Sequence, residues 1–154
     1  FLFIIGIFVF LGASYEYKQV KYRSLLMDHT AKDIVLKKYS VLNWDEPLKN
    51  AVDILLKTRE TGFLIKNDDE ITGILVKDDI IKGLSKLGED VRINEAMTKD
   101  FVKIDADKPL RDVFQTMQQK KLDLVPVYED QNLIGIIDKE NLQEFIMVQS
   151  ALED

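Results

Sequence analysis

One stretch of this sequence is written twice. Pro47-Leu48 returns as Pro109-Leu110 at an offset of 62, and the same offset carries Asp45 to Asp107, Asp68 to Asp130, Gly73 to Gly135, Ile74 to Ile136 and Lys77 to Lys139. Apolar positions follow the same rule: Val35 to Met97, Leu55 to Met117, Ile65 to Val127 and Ile71 to Leu133. Nothing need be inserted or deleted between Ala31 and Ile81. A unit of about 60 residues buries a marginal core on its own, so two copies are expected to pack on each other through their sheets.

Each copy reads as β-α-β-β-α, which places the chain in the α+β class with two repeats related by a pseudo-twofold axis. A short strand near Val41-Leu42, or near Ile104, leads to a proline. Pro47 and Pro109 suit a first helical turn, where a missing N–H costs nothing, and Asp45 and Asp107 are positioned to cap that turn. Leu48, Ala51, Val52, Leu55 and Leu56 then recur at helical spacing, as do Leu110, Val113, Phe114 and Met117. Two hairpins follow. Gly62–Ile65 and Leu124–Val127 are outgoing strands, Asn67–Glu70 and Glu129–Asn132 are polar turns, and Ile71–Val76 and Leu133–Ile137 are return strands. A second helix closes each copy, Asp79 to Leu87 and Lys139 to about Leu152.

Composition narrows the chemistry. The 154 residues carry 21 basic and 27 acidic side chains, a net charge of −6. That balance argues against a nucleic-acid partner, which needs a basic stripe to neutralise phosphates. Cysteine is absent and His29 is the sole histidine, so thiol chemistry and ordinary zinc ligation have no residues to work with. The acidic turn Asn67–Glu70 lacks the alternating ligands of a calcium loop and reads as a solvated hairpin. Met27, Met97, Met117 and Met147 read as gap-filling core or interface residues. Lys120-Lys121 reads as a basic helix end. Trp44 offers a flat face on which an adenine stacks, or else packs at an interface. No nucleophile–base pair stands out, and no catalytic residue is expected within this stretch.

Residues 1–13, FLFIIGIFVFLGA, carry no charge. They fall short of the roughly 20 apolar residues that span a bilayer. The preferred reading is the end of a transmembrane helix cut short, and the alternative is a buried element of a soluble fold. Residues 14–30 then form a connector helix; Lys18, Lys21 and Arg23 within it favour the cytoplasmic side. The two copies occupy 31–90 and 91–152.

The order of these elements, with Leu124-Val-Pro-Val127 and Leu133-Ile-Gly-Ile-Ile137 in the second copy and Ile71–Ile80 in the first, resembles a tandem pair of CBS domains. Ile93–Thr98 resembles the family's lead-in to each copy. The resemblance implies a disc with two clefts between the copies, which in many members bind an adenosine nucleotide such as AMP or ATP, or S-adenosylmethionine. The family's nucleotide signature is G-h-h-T-x-x-D. In the first copy Gly73 and Asp79 match it, but Val76 replaces the threonine. In the second, Gly135 matches, Asp138 replaces the threonine and Asn141 the final aspartate. A carboxylate suits ribose because it accepts from two vicinal hydroxyls. The resemblance thus implies binding positions at Leu64, Ile65, Val76, Asp79 and Thr98, and at Pro126, Asp138 and Asn141. The Asp79 cleft is expected to be the better one, although Asp79 serves equally as a helix-capping residue without any ligand.

Residues 10–20, followed by a short helix and a CBS pair, are similar to the C-terminal end of site-2-protease-like intramembrane zinc metallopeptidases. The resemblance implies a regulatory, membrane-attached cytoplasmic module, with zinc confined to a part of the parent outside this sequence. CBS pairs also follow channels and transporters. A ligand-free homodimeric scaffold is the rival reading.

Overall fold

The computed structural model describes residues 26–153; the apolar run and most of the expected connector helix lie outside them. None of the helices it describes is long and apolar enough to cross a membrane.

The first copy comprises β1 (Val41–Asn43), α1 (Leu48–Lys57), β2 (Gly62–Asn67), β3 (Glu70–Val76) and α2 (Lys77–Leu87). After the short helix α3 (Ile93–Ala96), the second copy repeats the order with β4 (Ile104–Asp105), α4 (Leu110–Lys120), β5 (Leu124–Glu129), β6 (Asn132–Asp138) and α5 (Lys139–Glu153). Each copy has a three-stranded sheet, β1-β2-β3 or β4-β5-β6, with the first pairing parallel and the second antiparallel. The duplication extends to irregularities. A register shift falls at Ile65/Lys66 and again at Val127/Tyr128, and Asp68 and Asp130 both hold positive φ in the hairpin turns. Asp tolerates that conformation because its short polar side chain bonds locally.

Two cores sit under the helices, one around Leu48, Phe63 and Ile80, the other around Leu110, Val125 and Leu142. A third joins the copies: Leu64, Ile71 and Ile74 from one sheet meet Leu124 and Ile136 from the other. The central strands are therefore buried on both faces, which is why β2 and β5 read as unbroken apolar runs rather than alternating ones.

The lead-in segments cross over. Leu36 exchanges both backbone hydrogen bonds with Ile136 of the second copy, 2.8 and 3.0 Å, while Thr98 exchanges them with Ile74 of the first, 2.8 and 3.0 Å. Likewise Leu26 and Ala31 are buried in the second core and Ile93 in the first. Each copy is completed by the segment that leads into the other.

This crossing overturns the expected caps. Asp45 and Asp107 cap nothing; Pro47 and Pro109 stand just before the helices in extended conformation, without a side-chain cap. Backbone carbonyls of the crossing segments take the free N–H groups instead. Val91 accepts from Leu48 at 2.7 Å, Glu89 from Lys49 at 2.9 Å, and His29 from Leu110 at 2.8 Å. Met27 and Met147 are exposed rather than core residues, whereas Met117 is buried and Met97 packs on the first core.

Candidate functional site

The eight positions singled out in the sequence fall into two sets and a wall. Leu64, Ile65 and Pro126 are buried strand residues that build the sheets the clefts lie against. The first set stands at the start of α2. Asp79 accepts the N–H of Val76 at 3.1 Å and the hydroxyl of Thr98 at 3.2 Å on both carboxylate oxygens. Burial pushes its carboxyl above the ordinary aspartate range, although the Val76 N–H, the Thr98 hydroxyl and the charge of Lys82 oppose the shift.

The second set stands at the start of α5. Asp138 and Asn141 cap each other reciprocally: each backbone N–H donates to the other's side chain at 2.7 Å. The Asn141 amide also donates to the carbonyl of Ile34 at 2.8 Å. Asn141 therefore fastens the lead-in of the first copy to the second, a bond its family counterpart aspartate has no proton to make.

A cavity of about 680 Å³ lies between the copies on the Asp138 side. Of the eight positions it takes only Asp138. Its apolar part comes from both copies: Leu36 and Gly62 from the first, Leu124 and Ile136 from the second. Beside them stand Tyr39 and three cationic side chains, Lys38, Lys57 and Arg59. Ser40 and Glu60 also face it and bond each other at 2.8 Å. Asp79 does not line this cavity, and neither does Trp44, which stands exposed beside β1. The basic rim was not singled out in the sequence. Comparing the copies position by position finds it, because the 62-residue offset sets Lys38 and Lys57 against Asp100 and Gln119.

A mixed cavity of this kind suits a ligand with a flat apolar part, hydroxyls and negative charge. Among the described residues no group of histidine, aspartate or glutamate is placed to hold a metal ion.

The family model for the CBS domain matches residues 90–148. The fold is that of a solved CBS domain pair in complex with 5-methylthioadenosine and S-adenosyl-L-methionine. The TM-score is 0.71 at 24% identity, covering 79% of this chain and 98% of that one. Curated relatives are longer. A homoserine O-acetyltransferase of Methanococcus vannielii is 24% identical over 127 residues, which is 80% of this chain but 26% of the relative. A zinc metalloprotease of Methanocaldococcus jannaschii is 22% identical over 153 residues, 99% of this chain and 42% of the relative.

Proposed function

This chain carries a CBS domain pair, and we propose that the pair is a regulatory module that binds an adenosine nucleotide, AMP or ATP, in the Asp138-side cleft. The observation that carries the reading is the composition of that cleft, in which the lead-in residues Leu36, Lys38, Tyr39 and Ser40 supply a wall and the second copy adds Ile136, paired with Leu36, and Asp138. An apolar slot accepts the base, the Asp138 carboxylate accepts from ribose hydroxyls, and the cations meet phosphate. The similar pair solved with 5-methylthioadenosine and S-adenosyl-L-methionine supports an adenosine moiety.

The wall that would touch the ligand is also the segment through which the chain enters the pair. A ligand that binds one setting of Leu36–Ser40 better than another shifts that setting by its difference in affinity and no more. The relative matched along 99% of this chain, a zinc metalloprotease, supports an attached site-2-protease-like metallopeptidase as the regulated part. In this reading the module is membrane-attached on the cytoplasmic side, and any zinc belongs to the parent's membrane part. Isothermal titration of the 154-residue chain with AMP, ATP and S-adenosylmethionine tests the sensing role. Binding that weakens in Asp138→Ala is expected; an absence of heat with all three ligands removes the reading.

One observation favours a second reading, a homodimeric scaffold. Leu56 on α1, Ile81 and Leu87 on α2, and Met147, Val148 and Leu152 on α5 are all more than half exposed. Apolar helix faces of this kind bury themselves against a second copy. Light scattering separates the two: a dimer indifferent to every nucleotide supports the scaffold.

A further inference from the structure

The two copies are alike in fold, but the positions that line the cavity between them differ in charge from their counterparts at the 62-residue offset. At the 62-residue offset Lys38, Lys57 and Arg59 correspond to Asp100, Gln119 and Lys121, and Thr61 corresponds to Asp123. Ser40 and Glu60, bonded to each other beside the cavity, correspond to the apolar Val102 and Leu122. Asp138, on the cavity wall, corresponds to Val76, which has no polar atom in its side chain. The cavity therefore sets three cations against the carboxylates of Glu60 and Asp138, a formal balance of one positive charge, while the counterpart positions set one cation against two carboxylates, a balance of one negative charge.

We infer that the chain takes one nucleotide rather than two, and that Lys38, Lys57 and Arg59 select a phosphate-bearing adenosine ligand over an adenosine thioether. The inference rests on the adenosine-site reading above and fixes the ligand class within it. A phosphate is an anion with several acceptor oxygens. Arg59 offers it a planar fork of N–H donors, and the two lysines add point charges. 5-Methylthioadenosine carries no charge for these groups to hold, and the sulfonium of S-adenosylmethionine is repelled by them. Asp138 uses Oδ1 to accept from Asn141, which leaves its second oxygen for a ribose hydroxyl. At the counterpart positions stand Asp100 and Asp123, whose charge opposes a phosphate, and Asp79 already has both carboxylate oxygens engaged. Lys38, Lys57 and Arg59 are exposed, so solvent and salt screen them and the selection is moderate, about tenfold.

The experiment is isothermal titration of the 154-residue chain with AMP, ATP, 5-methylthioadenosine and S-adenosylmethionine, at low and at high salt, on the native chain and on a Lys57→Gln/Arg59→Gln variant. Expected are one site per chain, AMP or ATP bound at least about tenfold more tightly than the thioether, and a preference that shrinks with salt. The variant should lose the preference while keeping its melting temperature and its affinity for 5-methylthioadenosine. Two sites of similar affinity overturn the single-site claim. Thioether binding as tight as AMP binding, unchanged in the variant, overturns the charge selection while leaving an adenosine site in place. If no adenosine compound binds, the underlying reading falls with it.

Discussion

The starts of α2 and α5 occupy the same place in the two copies, yet each holds its incoming segment by a bond of opposite sense. At α2 the carboxylate of Asp79 accepts a proton from the Thr98 hydroxyl. At α5 the amide of Asn141 gives a proton to the Ile34 carbonyl. A carboxylate only accepts, whereas an amide does both, so Asn141 can cap its own helix and fasten the lead-in at once. One consequence is that a position which in the family signature would face a ribose is here committed to architecture. In the proposed reading the ligand-facing chemistry moves to Asp138, to Lys38 and to the basic residues at and just after the end of α1, Lys57 and Arg59.

The largest effect expected from that asymmetry lies at the paired glycines. A methyl group at Gly135 would press on the Leu36 carbonyl and stand 2.6 Å from Val35 Cγ2. The lead-in backbone has to move and give up its bonds to Ile136. At Gly73 the nearest atom is the Met97 sulfur at 2.6 Å, the end of a flexible side chain that can turn aside, with the Thr98 carbonyl at 3.0 Å. Gly135→Ala should cost about 3 kcal/mol and Gly73→Ala about 1 kcal/mol, read from urea unfolding midpoints. Equal losses would mean that the two lead-ins are held alike and would break the comparison.

A smaller effect tests the bonds themselves. Asn141→Asp keeps the acceptor for the Asp138 N–H but removes the donor to Ile34, leaving a carboxylate oxygen against a carbonyl. A cost of about 2 kcal/mol is expected, typical of a partly buried acceptor stripped of its donor. Asp79→Asn preserves an acceptor for both Val76 and Thr98 and should change stability by less than about 1 kcal/mol. Amide exchange sharpens the contrast. In Asn141→Asp the Leu36 N–H, bonded to Ile136, should lose protection, while the Thr98 N–H, bonded to Ile74, should keep it.

Most of the fold was legible because the duplication supplies two readings of each element. The hairpins, both helices of each copy and the buried strands follow from apolar spacing and turn residues that agree at one offset. The crossing of the lead-ins was not legible, since it is set by backbone bonds such as Leu36 to Ile136, which no side chain announces. The same crossing misled the reading of Asp45 and Asp107, whose capping work is done by the carbonyls of Val91, Glu89 and His29. Pro126 is intelligible only beside Leu64. The Leu64 N–H donates to Ser40 at 3.3 Å, a bond that proline cannot make, and β4 is correspondingly one residue shorter than β1. At the site, the signature drew attention to Asp79, whereas Lys38, Lys57 and Arg59 carry no motif. They stand out only against the different residues that occupy their places in the other copy.

The smallest expected effect concerns protons. Burial holds the Asp79 carboxyl above its ordinary value of 3.8, against the hydrogen bonds from Val76 and Thr98. Between that value and the raised one, the folded chain keeps a proton that the unfolded chain has released. Unfolding therefore releases a proton in this window, and the contribution of Asp79 to stability falls as pH rises through it. At the corresponding place in the second copy Asn141 has no proton to lose. Asp79→Asn should accordingly gain on the native chain as pH climbs through the window and hold a constant lead above it, in urea unfolding measured at a series of pH values. Parallel curves would show that solvent reaches Asp79 well enough to keep its proton ordinary, and the two helix starts would then differ in hydrogen-bond sense alone.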